Sequence, residues 1–448
     1  MATKPKWTVL VYMVADAGES FYQNAMEDMV EMMSAQFDDR VRVVVHADAP
    51  CPWQTKCWEV TGALKEGNAG EAKIGVAKKV PCNDSCLLDF VQKCVDKYES
   101  DHYLLVLWGH GEGIDWKEKV LAGRAPSQAI EGAGKRFAPG SQGAIEVGEL
   151  GKALAELRLE RVKKENVVVG FDACLMGMVE IYDEIQPYVG WGVAANDEIP
   201  VTGWPYMEIL QLLGKVPEIE PKDLAKNIVD ICAKWYSVNS PNTKVSFAAC
   251  NLSKSWALLE ATASLTSQLT ASLTSEQTTR LTSELETRLT GELKTSTKET
   301  PVRDAVRAAR DFAEDLQEIA YVDLYAFCSE LKRQTERTES KVELKQLGPA
   351  ASSVLKKLDD FVIEHNFSDD YPFRFVEDAR AVSICFPESD ALVGSIPGIL
   401  INWGSYKELT FSQTTHWHDF LAEFWGRQPD RVDSPSANNA LGVAAGRS

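Results

Sequence analysis

The feature that most constrains the fold is a set of short runs that are apolar almost from end to end. They are Trp7–Met13, His102–Trp108 and residues 166–171. A run of this length without alternation is typical of a strand buried on both faces. Segments with apolar side chains at helical spacing separate these runs, as in residues 26–33. The alternation of strands and helices predicts an α/β fold with a mostly parallel sheet sandwiched by helices.

The chain divides into a motif-bearing first half and a helix-rich second half. We predict a core over residues 1–215 and a helix-rich region over 216–427 that completes the fold. From residue 428 to 448 the chain is polar and rich in small residues, so we predict a disordered tail. Within 252–297 leucines recur every fourth residue, which predicts an amphipathic helix on its own domain. A partner-binding coiled coil is the alternative for this helix.

Composition argues against a nucleic-acid partner and against a membrane protein. The 47 Lys and Arg residues face 66 Asp and Glu, a formal net charge of −19, whereas phosphate binding needs a basic surface. No apolar run is long enough to cross a bilayer. The first residues lack the apolar stretch of a signal peptide, so we predict a cytoplasmic protein. Secretion is the alternative if a leader was removed.

The ten cysteines do not form the dense pattern of a small disulfide scaffold. Four of them lie in one short region: Cys51, Cys57, Cys82 and Cys86. A zinc site and a pair of disulfides are both compatible with this group. No C-x-x-C spacing is present, so we predict unlinked thiols there. His416 and His418 lack a third metal ligand nearby, and we predict no metal site from the sequence.

Two residues with catalytic chemistry follow buried strands. His110 follows His102–Trp108, and Cys174 follows the run over 166–171. The carboxyl ends of neighbouring parallel strands meet at one edge of a sheet, so the two side chains can converge there. A thiolate attacks a carbonyl carbon, and an imidazole delivers a proton to the leaving amine. Gly111 has no side chain, so its N–H can approach the substrate as an oxyanion donor.

A helix is expected to begin at Leu175, directly after Cys174. Its first N–H groups and its dipole would lower the pKa of the preceding thiol. Each residue also has a structural alternative. A cysteine after a strand is more often a small buried side chain, and a histidine near a strand end is often only hydrogen-bonded. The spacing alone favours these structural alternatives over catalysis.

Several segments resemble the clostripain family of cysteine peptidases. The histidine block is LVLWGHGEGID (105–115), and the cysteine block is GFDACLMGMVEI (170–181). Further segments extend the resemblance over nearly the whole chain: WTVLVYMVADAGES (7–20), AANDEIPVTGWPY (194–206), YVDLYAF (321–327) and AVSICFP (381–387). The resemblance implies a caspase- and gingipain-like fold. It also implies an endopeptidase that cleaves after Arg or Lys through a Cys-His dyad.

The resemblance assigns roles position by position. His110 corresponds to the acid–base histidine, Cys174 to the nucleophile, and Asp172 to the acid at the floor of the first specificity pocket. A carboxylate there can pair with a basic side chain, although Asp172 could instead cap the helix after it. Asp197 and Glu198 stand where the resemblance places pocket walls, although both could equally be solvated loop charges. Thr202 stands where an acid would strengthen basic specificity, which leaves the preference between Arg and Lys open.

The resemblance also implies a zymogen that is cleaved between the two motifs. The loop over 112–146 contains several basic residues, and we predict autocleavage at Arg124. Both pieces would stay together, because each supplies strands of one sheet. The chemistry requires no cofactor. Some members of the family use calcium, so calcium is a possible accessory ion that the sequence does not locate.

We predict a monomer whose partners are protein or peptide substrates containing Arg or Lys. Two alternatives come from other functional classes. The first is a catalytically silent caspase-fold module that binds or regulates, against which the presence of His110 and Cys174 argues. The second is a Cys-His enzyme that acts on a non-peptide acyl or amide substrate.

Overall fold

The structure is a computed structural model of the whole chain. The residues that it describes are 4–15, 17–48, 56–62, 64–65, 72–73, 77–80, 87–111, 113–114, 136–137, 145–146, 150, 154, 162–290, 300–313, 320–337, 342–368, 377–389, 393–394 and 401–426.

A nine-stranded sheet forms the centre of the described fold. In chain order its strands are β1 (Trp7–Met13), β2 (Val41–Ala47), β3 (Lys56–Val60), β4 (Ala77–Val80), β5 (His102–Trp108), β6 (Val167–Asp172), β7 (Trp191–Ala194), β8 (Ser246–Asn251) and β9 (Val362–Phe367). Their spatial order is β9-β8-β7-β6-β5-β1-β2-β3-β4. The five strands from β7 to β2 are parallel, and two antiparallel strands flank them at each edge. The predicted α/β class with a mostly parallel sheet is therefore confirmed.

Helices cover both faces of the sheet. The described helices are α1 (Glu19–Ser34), α2 (Leu87–Lys97), α3 (Val179–Ile185), α4 (Tyr206–Lys215), α5 (Pro221–Asn239), α6 (Ser255–Thr290), α7 (Pro301–Phe312), α8 (Leu324–Arg337), α9 (Val342–Lys345), α10 (Leu347–Phe361), α11 (Trp403–Glu408), α12 (Thr410–Thr415) and α13 (Trp417–Trp425). One apolar core lies between the sheet and α1, α4 and α5. A second, larger core lies on the opposite face, against α2, α3 and the helices from α6 onward.

Short elements complete the described structure. Two-residue or three-residue strands pair as Leu64–Lys65 with Ala72–Lys73, Arg136–Phe137 with Ile145–Glu146, Tyr321–Asp323 with Ser383–Cys385, and Val393–Gly394 with Ile401–Asn402. Single 3₁₀ turns occupy Lys164–Asn166 and Leu252–Lys254. Within the described ranges, no helix combines the length and the apolarity needed to cross a bilayer.

Strands β5 and β6 are direct neighbours, which decides where the two sequence motifs meet. They pair in parallel, with Trp108 opposite Asp172 in the last register pair. The ladder continues beyond the strands, because the N–H of Gly109 donates to the Asp172 carbonyl over 3.2 Å. His110 and Cys174 each lie two residues beyond that last pair. The convergence of the two strand ends at one sheet edge follows from this register.

The leucine-rich segment forms the long helix α6, but only its first part is buried. Leu265, Leu269 and Leu273 have no exposed surface, whereas Leu285 and Leu289 are 57% and 77% exposed. Contacts with α10, α12 and α13 cover the first part. The prediction of a helix that packs on its own domain is confirmed for that part. Leu293 lies outside the described residues.

Two predicted helix boundaries were wrong. The helix expected to start at Leu175 starts at Val179, after a turn. The apolar spacing over residues 342–365 also predicts one helix, but the chain forms α9 and α10, which end at Phe361, and continues as the edge strand β9. The β-branched Val362 and Ile363 begin that strand, and strand pairing outweighs helical periodicity there.

Candidate active site

The backbones after β5 and β6 are in close contact. A Cβ atom built on Gly111 would lie 1.9 Å from the carbonyl oxygen of Cys174 and 2.8 Å from its nitrogen. Only a residue without a side chain can approach this closely. The histidine motif and the cysteine motif therefore meet at the carboxyl edge of the sheet.

Cys174 lies in a strained turn instead of at a helix start. Leu175, the next residue, has a φ of 62°, which costs a non-glycine residue on the order of 1 kcal/mol or more. Two backbone bonds hold this turn against the segment after β7. Leu175 N–H donates to Asp197 O over 3.1 Å, and Gly177 N–H donates to Ala195 O over 2.7 Å. The expected helix dipole at Cys174 is absent, because α3 begins only at Val179.

The thiol of Cys174 is half-buried and contacts the backbone of Ile199. The N–H of Ile199 donates to Sγ over 3.4 Å, and the carbonyl oxygen of Ile199 lies 3.5 Å from the same sulfur. The N–H donor and the carbonyl acceptor together hold the sulfur against the backbone of Ile199. This partner was missed in the sequence, because nothing in an apolar residue 25 positions away marks its backbone as a donor.

The imidazole of His110 stacks on Phe21 of α1. Their ring centroids are 4.1 Å apart and the planes differ by 6°. Phe21 also packs against Trp108, so the aromatic pair holds the start of the loop that carries His110. Partial removal of solvent lowers the pKa of His110 below its ordinary value of 6.5. The imidazole is therefore neutral near pH 7, unless it has taken the proton of a neighbouring thiol and forms an ion pair with the resulting thiolate.

Asp172 lies beneath Cys174 and is 3% exposed. Its Oδ2 accepts hydrogen bonds from Trp204 N–H over 3.1 Å and from the Tyr206 hydroxyl over 2.8 Å. Its Oδ1 is buried without a hydrogen-bond partner. Burial raises the pKa of Asp172, although both bonds oppose that shift. The helix-cap alternative for Asp172 is wrong, because no helix begins at Cys174.

Gly203 packs closely against the Asp172 carboxylate. A Cβ atom at position 203 would lie 2.7 Å from Oδ2 and 3.0 Å from Oδ1. Gly203 also has a φ of 59°, a conformation that favours glycine. A residue with a side chain at this position would therefore displace the carboxylate.

The other predicted pocket residues lie around the same turn. Asp197 is fully buried, and its Oδ1 accepts from the N–H of Glu198 over 2.8 Å. Its carbonyl holds Leu175, so Asp197 acts on the site at least through its backbone. Thr202 is exposed, and its hydroxyl lies 3.2 Å from the hydroxyl of Tyr236.

A second buried acid, Asp28 of α1, also lies at this edge of the sheet. It is 4% exposed, and its Oδ2 accepts a 2.7 Å hydrogen bond from Nε1 of Trp108. Trp108 is the register partner of Asp172. In the sequence, nothing distinguishes Asp28 from the other polar residues of an amphipathic helix, so this acid was missed.

Other predictions fall away from the site or outside the described residues. His46 is buried between Asp48 and Cys57 and stacks on Tyr12. Cys57 is disulfide-bonded, so the prediction of an unlinked thiol is wrong for this residue. The processing residue Arg124, most of the loop over 112–146 and the tail over 428–448 lie outside the described residues.

No candidate metal centre appears within the part of the chain that the structure describes. There, no three His, Cys, Asp or Glu side chains are grouped closely enough to hold an ion. His416 and His418 both contact Asp419 instead, at 3.2 Å each. The thiol, the imidazole and the buried carboxylate are therefore the groups on which we base the chemistry of this site.

The fold resembles solved cysteine proteases. A secreted C11 cysteine protease from Bacteroides thetaiotaomicron, bound to an irreversible peptide inhibitor, matches with a TM-score of 0.56 at 16% identity, over 92% of this chain and 99% of that chain. An inactive zymogen C11 protease from Parabacteroides distasonis matches with a TM-score of 0.55 at 14% identity, over 93% and 99% of the respective chains. A comparison with curated proteins found no match.

The fold and the family comparison define a cysteine peptidase, a hydrolase. The model of the clostripain family matches residues 11–425. The chain therefore belongs to the clostripain family, which confirms the resemblance that the two sequence motifs suggested.

Proposed function

We propose that this peptidase is an endopeptidase that cleaves after Arg or Lys, with Cys174 as nucleophile and His110 as acid–base partner. The close contact between Gly111 and Cys174 supports the dyad, because it joins the two motifs at one sheet edge. The N–H of Ile199 supports the nucleophile role, since it donates to the sulfur. Substrates are then proteins or peptides, and the peptidase acts as a monomer.

The proposed reaction begins with attack of the Cys174 thiolate on the carbonyl carbon of the scissile bond. His110, protonated by the thiol, donates that proton to the leaving amine as the C–N bond breaks. Water then attacks the thioester carbon while His110 takes one of its protons; the C–S bond breaks to release the carboxylic acid, and the proton returns to the Cys174 sulfur. The N–H of Gly111 is the proposed donor to the oxyanion, because its lack of a side chain lets its backbone approach the reacting centre.

The single observation that carries the basic specificity is the unpartnered oxygen of Asp172. A buried carboxylate oxygen without a partner is costly, and a guanidinium or ammonium group supplies the donor that it lacks. Asp197 and Thr202 are the proposed pocket walls. Thr202 stands where an acidic residue would strengthen basic specificity, and it contributes a hydroxyl group instead of a second negative charge.

The remaining sequence expectations form part of the same proposal. Residues 1–215 are the peptidase core and 216–427 complete the fold, which the position of β8 and β9 in the central sheet supports. Autocleavage at Arg124 activates the enzyme. Calcium is an accessory ion at most, and the cytoplasmic location stays a prediction from the first residues of the chain.

The alternative is a catalytically silent module of the same fold. The observation that favours it is the 3% exposure of Asp172, since a pocket this closed admits no side chain without movement. A silent module would keep the thiol reactive towards alkylating agents but would cleave no peptide.

The test is hydrolysis of fluorogenic peptides that end in Arg, Lys, Asp, Asn or Leu, with and without calcium. We expect Arg and Lys cleavage by wild type, none by Cys174→Ala, and at least a hundredfold loss in kcat/KM for Asp172→Asn. Cys94→Ala, which removes a buried thiol on α2, is the matched control and keeps full activity.

Each outcome of this test supports or removes one part of the proposed function. Cleavage after a non-basic residue keeps the dyad but removes the pocket assignment. Absence of cleavage, even after treatment with an activating protease, favours the silent module. An intact chain in the active enzyme, seen by mass spectrometry, removes the processing step at Arg124.

A further inference from the structure

Three acids from two elements lie beneath the proposed specificity pocket. Asp172 is the last residue of β6, and Asp28 and Glu31 lie one helical turn apart on α1. Asp28 and Asp172 are 4% and 3% exposed. Glu31 has a buried oxygen, Oε2, without a hydrogen-bond partner. The fold therefore removes several carboxylates from water in one place.

The acids lie on the same face of the sheet. Trp108 and Asp172 are paired in register on neighbouring parallel strands, so their side chains point to the same face. Trp108 belongs to the apolar core that α1 and α4 cover. Its Nε1 donates to Asp28, while the hydroxyl of Tyr206, the first residue of α4, donates to Asp172. The hydrogen-bond donors to Asp28 and Asp172 therefore both come from the core between the sheet and the helices α1 and α4.

Among the residues that the structure describes, no basic side chain offsets this acidity. Within the described residues, no lysine, arginine or histidine forms an ion pair with Asp28, Glu31 or Asp172. The other titratable groups that face the pair of aspartates are acidic or neutral, namely Glu27, Glu31, Tyr206, Cys232 and Tyr236. Buried carboxylates without a counter-charge are costly unless they are protonated or a cation arrives from outside.

Asp172 is one of several buried acids with an unpartnered oxygen, as Glu180 and Asp183 are, and its position two residues before Cys174 distinguishes it from them. Asp323 is also fully buried, but it accepts backbone N–H bonds from Ala326, Arg380 and Val382 on both oxygens. Asp172, in contrast, keeps Oδ1 without a partner. The vacant acceptor and the second carboxylate are what a bound cation requires.

We propose that Asp28 is a second acidic specificity determinant, which acts with Asp172 to hold the basic side chain of the substrate residue before the scissile bond. This inference rests on the proposed Arg or Lys specificity and adds a residue to it. Asp28 supplies, from α1, the second negative charge that Thr202 does not supply from the segment after β7. The pocket of this chain is therefore built by two elements far apart in sequence.

A consequence is that cation binding releases a proton. Burial raises the pKa of both aspartates, and the charge of Asp172 raises the pKa of Asp28 further. Without a bound cation, Asp28 and Asp172 together therefore hold a proton near neutral pH. An entering ammonium or amidinium group favours the state in which both carboxylates are ionised. The proton leaves to solvent as the cation binds.

The test uses the full-length enzyme, benzamidine as an amidinium probe, and the substitution Asp28→Asn. Asparagine keeps an oxygen that can accept from Trp108 Nε1, so the variant folds. We expect benzamidine affinity and KM for Arg peptides to worsen about tenfold to a hundredfold in Asp28→Asn, with kcat changed far less. Titration calorimetry in two buffers of different ionisation enthalpy shows proton release by wild type and none by the variant.

Asp183→Asn, which changes a buried acid of α3 on the opposite face, is the matched control and keeps wild-type binding and proton release. If Asp28→Asn shows the same KM and the same proton release as the wild type, the role of Asp28 is overturned while the proposed Arg cleavage still stands. Absence of benzamidine binding together with absence of Arg or Lys cleavage by wild type would instead overturn both this inference and the basic specificity on which it rests. If Asp28→Asn lowers the melting temperature, KM is also measured for Asp28→Glu. This variant keeps the negative charge, so it restores KM if the role of Asp28 is electrostatic.

Discussion

Gly111 contacts the backbone of Cys174 so closely that a methyl group at position 111 would come within 1.9 Å of the Cys174 carbonyl oxygen. The two residues follow adjacent parallel strands, and their contact fixes the distance between the histidine motif and the cysteine motif. The geometry of the site therefore depends on the smallest residue in it.

Gly111→Ala is expected to displace the turn at Cys174. A contact of 1.9 Å with backbone atoms cannot be relieved by rotation of a side chain, so one of the two segments must move. We expect a loss of about 2 kcal/mol or more in the free energy of unfolding and at least a hundredfold loss in kcat/KM. Chemical denaturation and peptide hydrolysis measure the two effects.

Gly426→Ala is the control for the glycine substitution. Gly426 ends α13 with a φ of 75° and has no atom within 4 Å of a built Cβ. Its replacement costs about 1 kcal/mol through backbone strain alone and leaves peptide hydrolysis unchanged. Equal effects of the two substitutions would show that the contact with Cys174 has no role.

Phe21→Ala is expected to change the pH dependence of the reaction. The Phe21 ring covers one face of His110, and the removal of solvent lowers the pKa of that histidine. Without Phe21 the pKa rises towards 6.5, so the acidic limb of the kcat/KM profile moves to higher pH. Tyr22→Ala, on the same helix, serves as control, and an unchanged limb in Phe21→Ala would contradict the prediction.

Asp183→Asn is expected to stabilise the protein at higher pH. Burial raises the pKa of Asp183 to about 7, and the charge of Glu184 adds to the shift. The folded state therefore holds this proton more tightly than the unfolded state, and the resulting stability is lost as the pH rises from about 4 through about 7. The variant gains up to about 4 kcal/mol in unfolding free energy at about pH 8, and little at about pH 4.

Thermal and urea unfolding at both pH values check the effect of Asp183. Glu260→Gln, which changes an exposed acid on α6, should leave the unfolding free energy within about 0.5 kcal/mol at either pH. A gain in Asp183→Asn that does not depend on pH would show that packing, and not ionisation, limits stability at this position.

The two ends of α6 are expected to respond differently to leucine truncation. Leu269 is fully buried, so Leu269→Ala should cost about 2 to 5 kcal/mol in unfolding free energy. Leu285 is 57% exposed, and Leu285→Ala should cost less than about 0.5 kcal/mol. Denaturant titration of both variants checks this, and a large cost at Leu285 would reveal a covering segment or a second molecule.

Sequence patterns predicted the main elements because their signals are local. Runs such as Trp7–Met13 and His102–Trp108 can satisfy their apolar side chains only as strands buried on both faces. The family assignment followed from the blocks around His110 and Cys174, since each block keeps its chemistry within a few consecutive residues. The helix boundary after Cys174 was wrong because Leu175 takes a left-handed conformation that apolar spacing does not reveal.

The sequence alone determined the class of fold, the family and the two motifs, because strand and helix periodicity and short motifs are properties of neighbouring residues. Only the tertiary structure decided what surrounds those motifs. The N–H of Ile199 reaches the sulfur of Cys174, Phe21 covers His110, and Asp28 joins the layer beneath Asp172. These contacts join residues that are far apart along the chain, and sheet register and helix packing, not local sequence, bring them together.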